Sequence, residues 1–119
     1  MEDVRFVDKL RDIVNKHDDE QLAKLPELID TINSRMEIAA NNGYEKFVIM
    51  FTRNENIKDL DEFNKSSIQT YTIRVNNDYL AKAISSKIKE YYENEDRGFN
   101  VIYRNPSSYS DKDLIIEWV

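Results

Sequence analysis

The chain has 119 residues, a length that fits one domain and can bury about two-thirds of its unfolded surface without disulfides. It contains no cysteine, which excludes disulfides, zinc–cysteine sites, iron–sulfur clusters and thiol nucleophiles. Seventeen basic and 23 acidic residues give a net charge of −6, which disfavours a large contact with phosphates, and two glycines are too few for a glycine-rich phosphate loop. We therefore predict a single domain over residues 1–119.

Near the N-terminus, apolar residues recur at three- and four-residue intervals: Val4, Val7, Leu10 and Val14. This spacing predicts an amphipathic helix of about three turns, with Asp3 as its N-cap. The polar segment 15–20 is predicted to end this helix.

A second helix is predicted to start at Pro26, because the missing N–H of proline would be unsatisfied at a first helical position anyway. Its buried stripe is predicted to contain Leu28, Ile32, Met36 and Ala39. The helix should stop at Asn41 and Asn42, with Gly43 in the left-handed conformation just beyond its end.

The run from Phe47 to Phe51 consists of five consecutive large apolar residues. A strand with one wet face alternates apolar and polar residues, whereas this run is apolar on both faces. It is therefore predicted to be the central strand of a sheet that is covered on both sides.

The segment 54–67 leaves two interpretations open. Ile57, Leu60 and Phe63 are spaced by three residues, which indicates a short helix, and an open loop is the alternative. The following segment, from Ile68 to Val75, alternates apolar and polar residues and is predicted to be a strand near the sheet edge with one face partly wet.

Asn76 and Asn77 supply an N-cap for a third helix. Its predicted buried stripe contains Leu80, Ile84, Ile88 and Tyr91. Gly98 ends the exit turn, and two strands follow, at Phe99 to Tyr103 and from Leu114 onward. Because a polar connector joins these strands, they are predicted to form an antiparallel hairpin.

These elements predict an α+β fold with two layers: a four-stranded mixed sheet in the order 2-1-3-4, with the second and third helices on one face. A right-handed crossover makes the second and third strands parallel. The first strand is predicted to lie between them and antiparallel to both. The N-terminal helix, or another subunit, would have to cover part of the other face.

Few residues suggest catalysis or metal binding. His17 is the single histidine, which excludes a Ser-His-Asp triad and a two-histidine metal site within one chain. Two Asp-x-Asp pairs, Asp59/Asp61 and Asp111/Asp113, carry the oxygen ligands that hard cations prefer, but neither has the glycine of an EF-hand. Solvated loop carboxylates are the favoured interpretation, and a small metal-dependent enzyme that uses these pairs is kept as an alternative.

The segment from Arg97 to Tyr103 resembles part of the RNA-recognition-motif signature, in which strand aromatics stack on bases. It departs from that signature at Asn100, which replaces a small residue, and at Val101, which replaces a stacking aromatic. Binding of single-stranded RNA is a second alternative, and a core position for Phe99 and Tyr103 is favoured over it.

Aromatic side chains with polar tips are favoured at protein interfaces and at core rims. The predicted partner-binding residues combine such aromatics with surface carboxylates: Tyr71, Tyr103, Tyr109, Trp118, Asp59, Asp61 and Glu62. The alternative, that the aromatics rim the core of a monomer, stays open.

The segments 32–43 and 114–118 resemble the small helix–strand–helix–hairpin orphan proteins of bacteriophages with AT-rich hosts. This resemblance implies a virion component or a small host-directed factor, and it carries over no site residue. Because no catalytic constellation is complete, we predict a non-enzymatic protein without cofactor or metal that binds another protein or itself, as a virion component or as an inhibitor or modulator of a host protein. No apolar run reaches the roughly 18 residues of a membrane span, so we expect a cytoplasmic protein, in the host cell or the virion.

Overall fold

The computed structural model describes residues 5–53, 59–95, 98–104 and 112–118. The helices are α1 (Phe6–Leu22), α2 (Leu25–Asn41), α3 (Leu60–Lys65) and α4 (Asp78–Glu90), and the strands are β1 (Lys46–Thr52), β2 (Thr70–Arg74), β3 (Asn100–Arg104) and β4 (Lys112–Glu117). One π-helical turn, Tyr91–Glu95, continues α4. The fold is α+β, as predicted.

The four strands form one mixed sheet in the order β2-β1-β4-β3. The predicted order 2-1-3-4 is therefore wrong, because the hairpin folds β4 back to lie beside β1 and leaves β3 at the edge. β4 takes the inner place since Leu114 and Ile116 are both fully buried. The predicted antiparallel arrangement of the first two strands is also wrong: β1 and β2 are parallel neighbours, joined through α3.

A hydrophobic cluster joins α2, α4 and alternate residues of the strands. Its members without solvent exposure include Ile32, Ala39, Phe47, Ile49, Ile88, Tyr92, Leu114 and Ile116. On β1, Phe47, Ile49 and Phe51 are buried, whereas Val48 and Met50 between them stay partly exposed. The prediction that this strand is covered on both sides is therefore wrong for its second face, because no described helix packs its apolar residues there. The register pairs Phe47 with Ile116, so buried residues of neighbouring strands lie on one side of the sheet.

Gly43 lies just beyond α2 in the left-handed region, as predicted, and Gly98 also has a positive φ. Gly43 follows α2 with φ 87°, and Gly98 precedes β3 with φ 98°. An L-residue with a side chain rarely adopts such an angle, which explains glycine at both positions. Within the undecided segment 54–67, the structure forms the short helix α3, while Ile57 lies outside the described residues.

The first helix is longer than its sequence pattern predicts. The prediction that residues 15–20 end it is wrong, because α1 continues through them to Leu22. The physical reason is that Asp18, inside this polar segment, is buried with 3% exposure against the start of α4, so tertiary contact holds the helix together.

The molecule is elongated. Its extents are 63 × 34 × 27 Å and its radius of gyration is 16.2 Å, whereas a compact chain of this length has a radius of gyration of about 13–14 Å. None of the described helices is both long and apolar enough to cross a membrane.

Candidate interaction surface

The N-terminal part of α1 carries exposed apolar side chains on one face. We call this set the α1 stripe; its exposed fractions are Phe6 71%, Val7 42%, Leu10 45%, Ile13 56% and Val14 48%. The spacing of three and four residues places all five on one side of the helix. This part of α1 is amphipathic in pattern, yet none of the five stripe residues belongs to the hydrophobic cluster. We call the part of the fold that this cluster holds together, α2, α4 and the sheet, the body.

Ion pairs on the polar face support the helix around the stripe. Arg5 donates to the carboxylate of Asp8 at 3.1 and 3.3 Å, and Arg11 lies 3.7 Å from the same carboxylate. Pairs three residues apart add a few tenths of a kcal/mol each to helix stability. The helix is therefore held locally by its polar side, while its apolar side faces solvent.

The other end of α1 is fixed to the body through polar contacts. Both carboxylate oxygens of Asp18 lie 3.5 Å from Nδ2 of Asn77, and Asp18 Oδ1 lies 3.3 Å from Nδ1 of His17. The other ring nitrogen of His17 lies 3.4 Å from Nδ2 of Asn76. Asn77 also caps α4, because its Oδ1 accepts from the N–H of Leu80 at 2.7 Å.

A second apolar surface lies on the sheet. We call it the outer sheet face; it consists of Val48, Met50, Ile102 and Ile115, which alternate with the buried strand residues. Ile102 is 40% exposed and the other three are partly exposed. None of the four belongs to the hydrophobic cluster or packs against it.

At each edge of the sheet, a side chain makes hydrogen bonds to the backbone of the outermost strand. Next to β2, the buried amide of Asn64 donates to the carbonyl of Thr72 at 3.0 Å and accepts from its N–H at 2.7 Å. Next to β3, the ammonium group of Lys89 donates to the carbonyl of Val101 at 2.9 Å. Such blocked edges disfavour pairing with a strand of another chain.

The predicted aromatic partner residues lie at the core rim. Tyr71, Tyr103 and Trp118 are partly buried and pack against the hydrophobic cluster, and Tyr109 lies outside the described residues. Burial raises the pKa of Tyr71, with a further rise from Asp61 and an opposing effect of Arg35. Tyr71 therefore lies near Asp61, another of the predicted partner residues.

The predicted acidic residues lie at the start of α3. Asp59, Asp61 and Glu62 are exposed, and Asp59 caps the helix by accepting from the N–H of Glu62 at 3.0 Å. In the second Asp pair, Asp113 accepts two hydrogen bonds from Arg104, at 2.7 and 2.6 Å, while Asp111 is outside the described residues. Within the described ranges, no three acidic or histidine side chains are arranged to hold a metal ion.

A charged cluster lies where β1 and β2 end. The buried Lys112 lies 3.3 Å from Asp78, and Arg53 lies 3.9 Å from the same carboxylate oxygen. A hollow of about 530 Å³ nearby is lined by Arg53, Arg74, Val75 and Asn76. The carboxylate of Asp78 offsets part of this positive charge, and the described residues place no nucleophile and base together here.

The RNA-recognition alternative receives no support from the positions of its aromatics. Phe99 packs in an edge-to-face contact on Tyr92, with the ring centroids 5.1 Å apart, and Val101 is 2% exposed. Tyr103 also packs against the cluster, so these side chains lie against the core, the position that the sequence favoured.

A comparison of the chain with protein-family models, with curated proteins and with solved structures finds no significant match. The α1 stripe and the outer sheet face are therefore interpreted from their geometry alone. The spacing of Phe6 and Ile13 was visible in the sequence, but the predicted stripe omitted both residues. Their exposure depends on where α1 lies relative to the body, which the local pattern does not contain.

Proposed function

We propose that the chain is a non-enzymatic protein that acts by binding protein, with the α1 stripe as its main contact surface. The observation that carries this proposal is the exposure of all five stripe residues, between 42% and 71%, on a helix whose other end is fixed to the body. Soluble monomers rarely expose a contiguous apolar patch of several hundred Å² without using it for an interaction.

The energetics favour a covered stripe. Burying a large apolar side chain completely gains about 1.5–3 kcal/mol relative to leaving it exposed. Each stripe residue still has roughly half of that gain available, and five neighbouring residues together can stabilise a complex. The stripe thus supplies binding free energy that the isolated chain does not use.

We further propose that the fold has two layers, with α2 and α4 on one face of the sheet. The outer sheet face would then serve as a secondary contact surface beside the α1 stripe. Tyr71, Tyr103, Tyr109, Trp118 and the acidic residues of α3 stay predictions as partner contacts. The phage origin, the cytoplasmic location, and the choice between a virion component and an inhibitor of a host protein likewise stay predictions.

The test compares two lysine substitutions at equally exposed apolar positions. Leu10→Lys changes the centre of the stripe, where the exposed fraction is 45%, and Ile38→Lys changes a position on α2 with an exposed fraction of 43%. Lysine is a good helix former, so both variants should keep the fold, which circular dichroism and urea unfolding can check.

Any complex that the wild-type chain forms, with itself or with another protein, should be weakened at least about tenfold by Leu10→Lys and unchanged by Ile38→Lys. Affinity capture with purified components and sedimentation velocity would measure this. Complexes that survive Leu10→Lys unchanged would contradict the proposal, as would a wild-type chain that associates with no protein.

A further inference from the structure

We infer that the hollow beyond the ends of β1 and β2 binds the phosphate group of a small phosphate monoester. We call it the strand-end hollow; its volume is about 530 Å³, and Arg53, Arg74, Val75 and Asn76 line it. These lining residues include no member of the α1 stripe, so the ligand site is independent of the proposed function. Three observations support it: two arginines on neighbouring strands, a local excess of positive charge, and the size of the hollow.

The parallel pairing of β1 and β2 places two arginines at the same end of the sheet. Thr52, the last residue of β1, is in register with Arg74, the last residue of β2, and Arg53 follows Thr52 directly. The N–H of Val75 donates to the carbonyl of Thr52 at 2.9 Å, so the two strands are paired up to the hollow. Because neighbouring strands lie about 4.8 Å apart, both arginines can reach one ligand. Crevices beyond the carboxyl ends of parallel strands are a common place for ligands in open sheets.

Positive charge exceeds negative charge in the cluster of Arg53, Arg74, Lys112 and Asp78, which contains three cations and one carboxylate. The ammonium group of the buried Lys112 lies 3.3 Å from Asp78. Arg53 lies 3.9 Å from the same carboxylate, which is too long for a hydrogen bond, so this ion pair does not occupy the N–H donors of Arg53. The positive end of the α4 dipole, two residues after Asn76, adds to the attraction for an anion.

This charge and this size fit a phosphate monoester. Such a group carries a charge of about −1.5 to −2 at pH 7 and three acceptor oxygens, which matches the excess of two positive charges in the cluster. Guanidinium groups bind phosphate through two parallel N–H···O bonds. Pockets for small molecules have volumes of about 300–1,000 Å³, a range that includes the strand-end hollow. The net charge of −6 disfavours a nucleic acid, whose many phosphates would also meet the acidic remainder of the chain.

The first experiment follows the backbone amide signals of the full chain by NMR while inorganic phosphate replaces chloride at constant ionic strength. We expect saturable shifts at Val75 and Asn76 with a Kd on the order of 1 mM, and binding of 2-glycerol phosphate that is at least as tight. Acetate should bind at least about tenfold more weakly, because it has a single charge and two oxygens. Shifts that do not saturate, equal binding of acetate, or binding of inorganic phosphate without 2-glycerol phosphate would each overturn the inference.

The second experiment compares two arginine-to-glutamine substitutions that remove the same charge. Arg53 is 55% exposed and lies 3.9 Å from Asp78, whereas Arg11 on α1 is 69% exposed and lies 3.7 Å from Asp8. Both positions are exposed, so both variants should keep the fold, which circular dichroism can check. Arg53→Gln should raise the Kd for phosphate at least about tenfold, and Arg11→Gln should leave it within about twofold of the wild-type value.

Arg74→Gln tests the other arginine of the hollow and should also raise the Kd for phosphate, by at least about fivefold. Equal Kd values in Arg53→Gln and Arg11→Gln would overturn the inference, because the loss of a charge anywhere on the surface would then have the same effect.

Further outcomes separate this ligand from nucleic acid and from the proposed function. A single-stranded oligonucleotide that binds more tightly than 2-glycerol phosphate, and loses this binding in Arg53→Gln, would overturn the small ligand in favour of nucleic acid. A chain that binds phosphate as expected but forms no protein complex would support the inference and contradict the proposed function. A protein complex that depends on Leu10, in a chain that binds no phosphate, would overturn the inference alone.

Discussion

Asn77 connects two helices through the two ends of its side-chain amide. Its Oδ1 accepts from the N–H of Leu80 and caps α4, and its Nδ2 faces the buried carboxylate of Asp18 on α1. The two roles can be separated by substitution, because serine at this position can cap a helix but is too short to reach across to α1.

We predict that Asn77→Ala lowers the free energy of unfolding by about 1–2 kcal/mol, since the cap is lost and the buried carboxylate of Asp18 loses a donor. Asn77→Ser should recover most of the loss. Urea unfolding of both variants would measure this, and an equal loss in Asn77→Ser would show that the contact with Asp18, and not the cap, dominates.

The side chain of Asn64 holds the edge of the sheet beside β2. It is 3% exposed, and its amide satisfies both the N–H and the carbonyl of Thr72, which is itself 5% exposed. Asn64→Ala should lower the free energy of unfolding by about 2–3 kcal/mol, because it leaves two backbone groups without partners away from water.

The exposed Asn15 on α1 is a matched control, and Asn15→Ala should change stability by less than about 0.5 kcal/mol. Equal urea midpoints for the two variants would show that the N–H and the carbonyl of Thr72 can lose their partner Asn64 without a loss of stability. This role of Asn64 is not visible in the sequence, because it depends on α3 folding back onto the strand that follows it.

Two tyrosines should make the protein sensitive to alkaline pH. Burial raises the pKa of Tyr71 and of Tyr103 above the ordinary value of 10.0, and Asp61 and Asp78, respectively, add to the rise. Since the folded state holds a phenol proton that the unfolded chain releases more easily, the stability from the neutral phenols is complete below about pH 10 and is lost as pH rises through the folded-state pKa values.

Replacing both residues by phenylalanine should therefore make the free energy of unfolding fall less steeply between about pH 9.5 and pH 11. The exposed Tyr79, at 69%, supplies the control substitution Tyr79→Phe, which should keep the slope of the wild-type chain. Urea unfolding at a series of pH values would measure the slopes, and a steep slope that persists in the double variant would contradict the role of burial.

At the scale of elements, the α1 stripe and the stripe of α2 look alike in sequence but differ in environment. Both repeat apolar residues at three- and four-residue spacing, yet Leu10 is 45% exposed and Ile32 is 0% exposed. We predict that Ile32→Ala lowers the free energy of unfolding by about 2–5 kcal/mol, because it opens a cavity in the core.

Leu10→Ala should change that free energy by less than about 0.5 kcal/mol at concentrations low enough to keep the chain monomeric. Urea unfolding by circular dichroism would measure both variants. A loss in Leu10→Ala as large as in Ile32→Ala would mean that the stripe packs against the body in solution.

The elements that could be predicted from the sequence are those with strong local signals. Pro26 and Gly43 mark the ends of α2, Asn77 marks the start of α4, and the run from Phe47 to Phe51 marks β1, which is central in the sheet as expected. The strand order depended on non-local pairing. The sequence did not show that the hairpin would bring β4 rather than β3 beside β1, because both strands are short and apolar.

At the scale of the whole molecule, α1 is attached at one end and exposed at the other. Its C-terminal part contacts the start of α4 through Asp18, and its N-terminal turns carry the exposed stripe, so these turns do not cover the sheet. The sequence predicts that the first helix or another subunit covers part of the second sheet face. The α1 stripe does not take that place, because its five residues stay between 42% and 71% exposed.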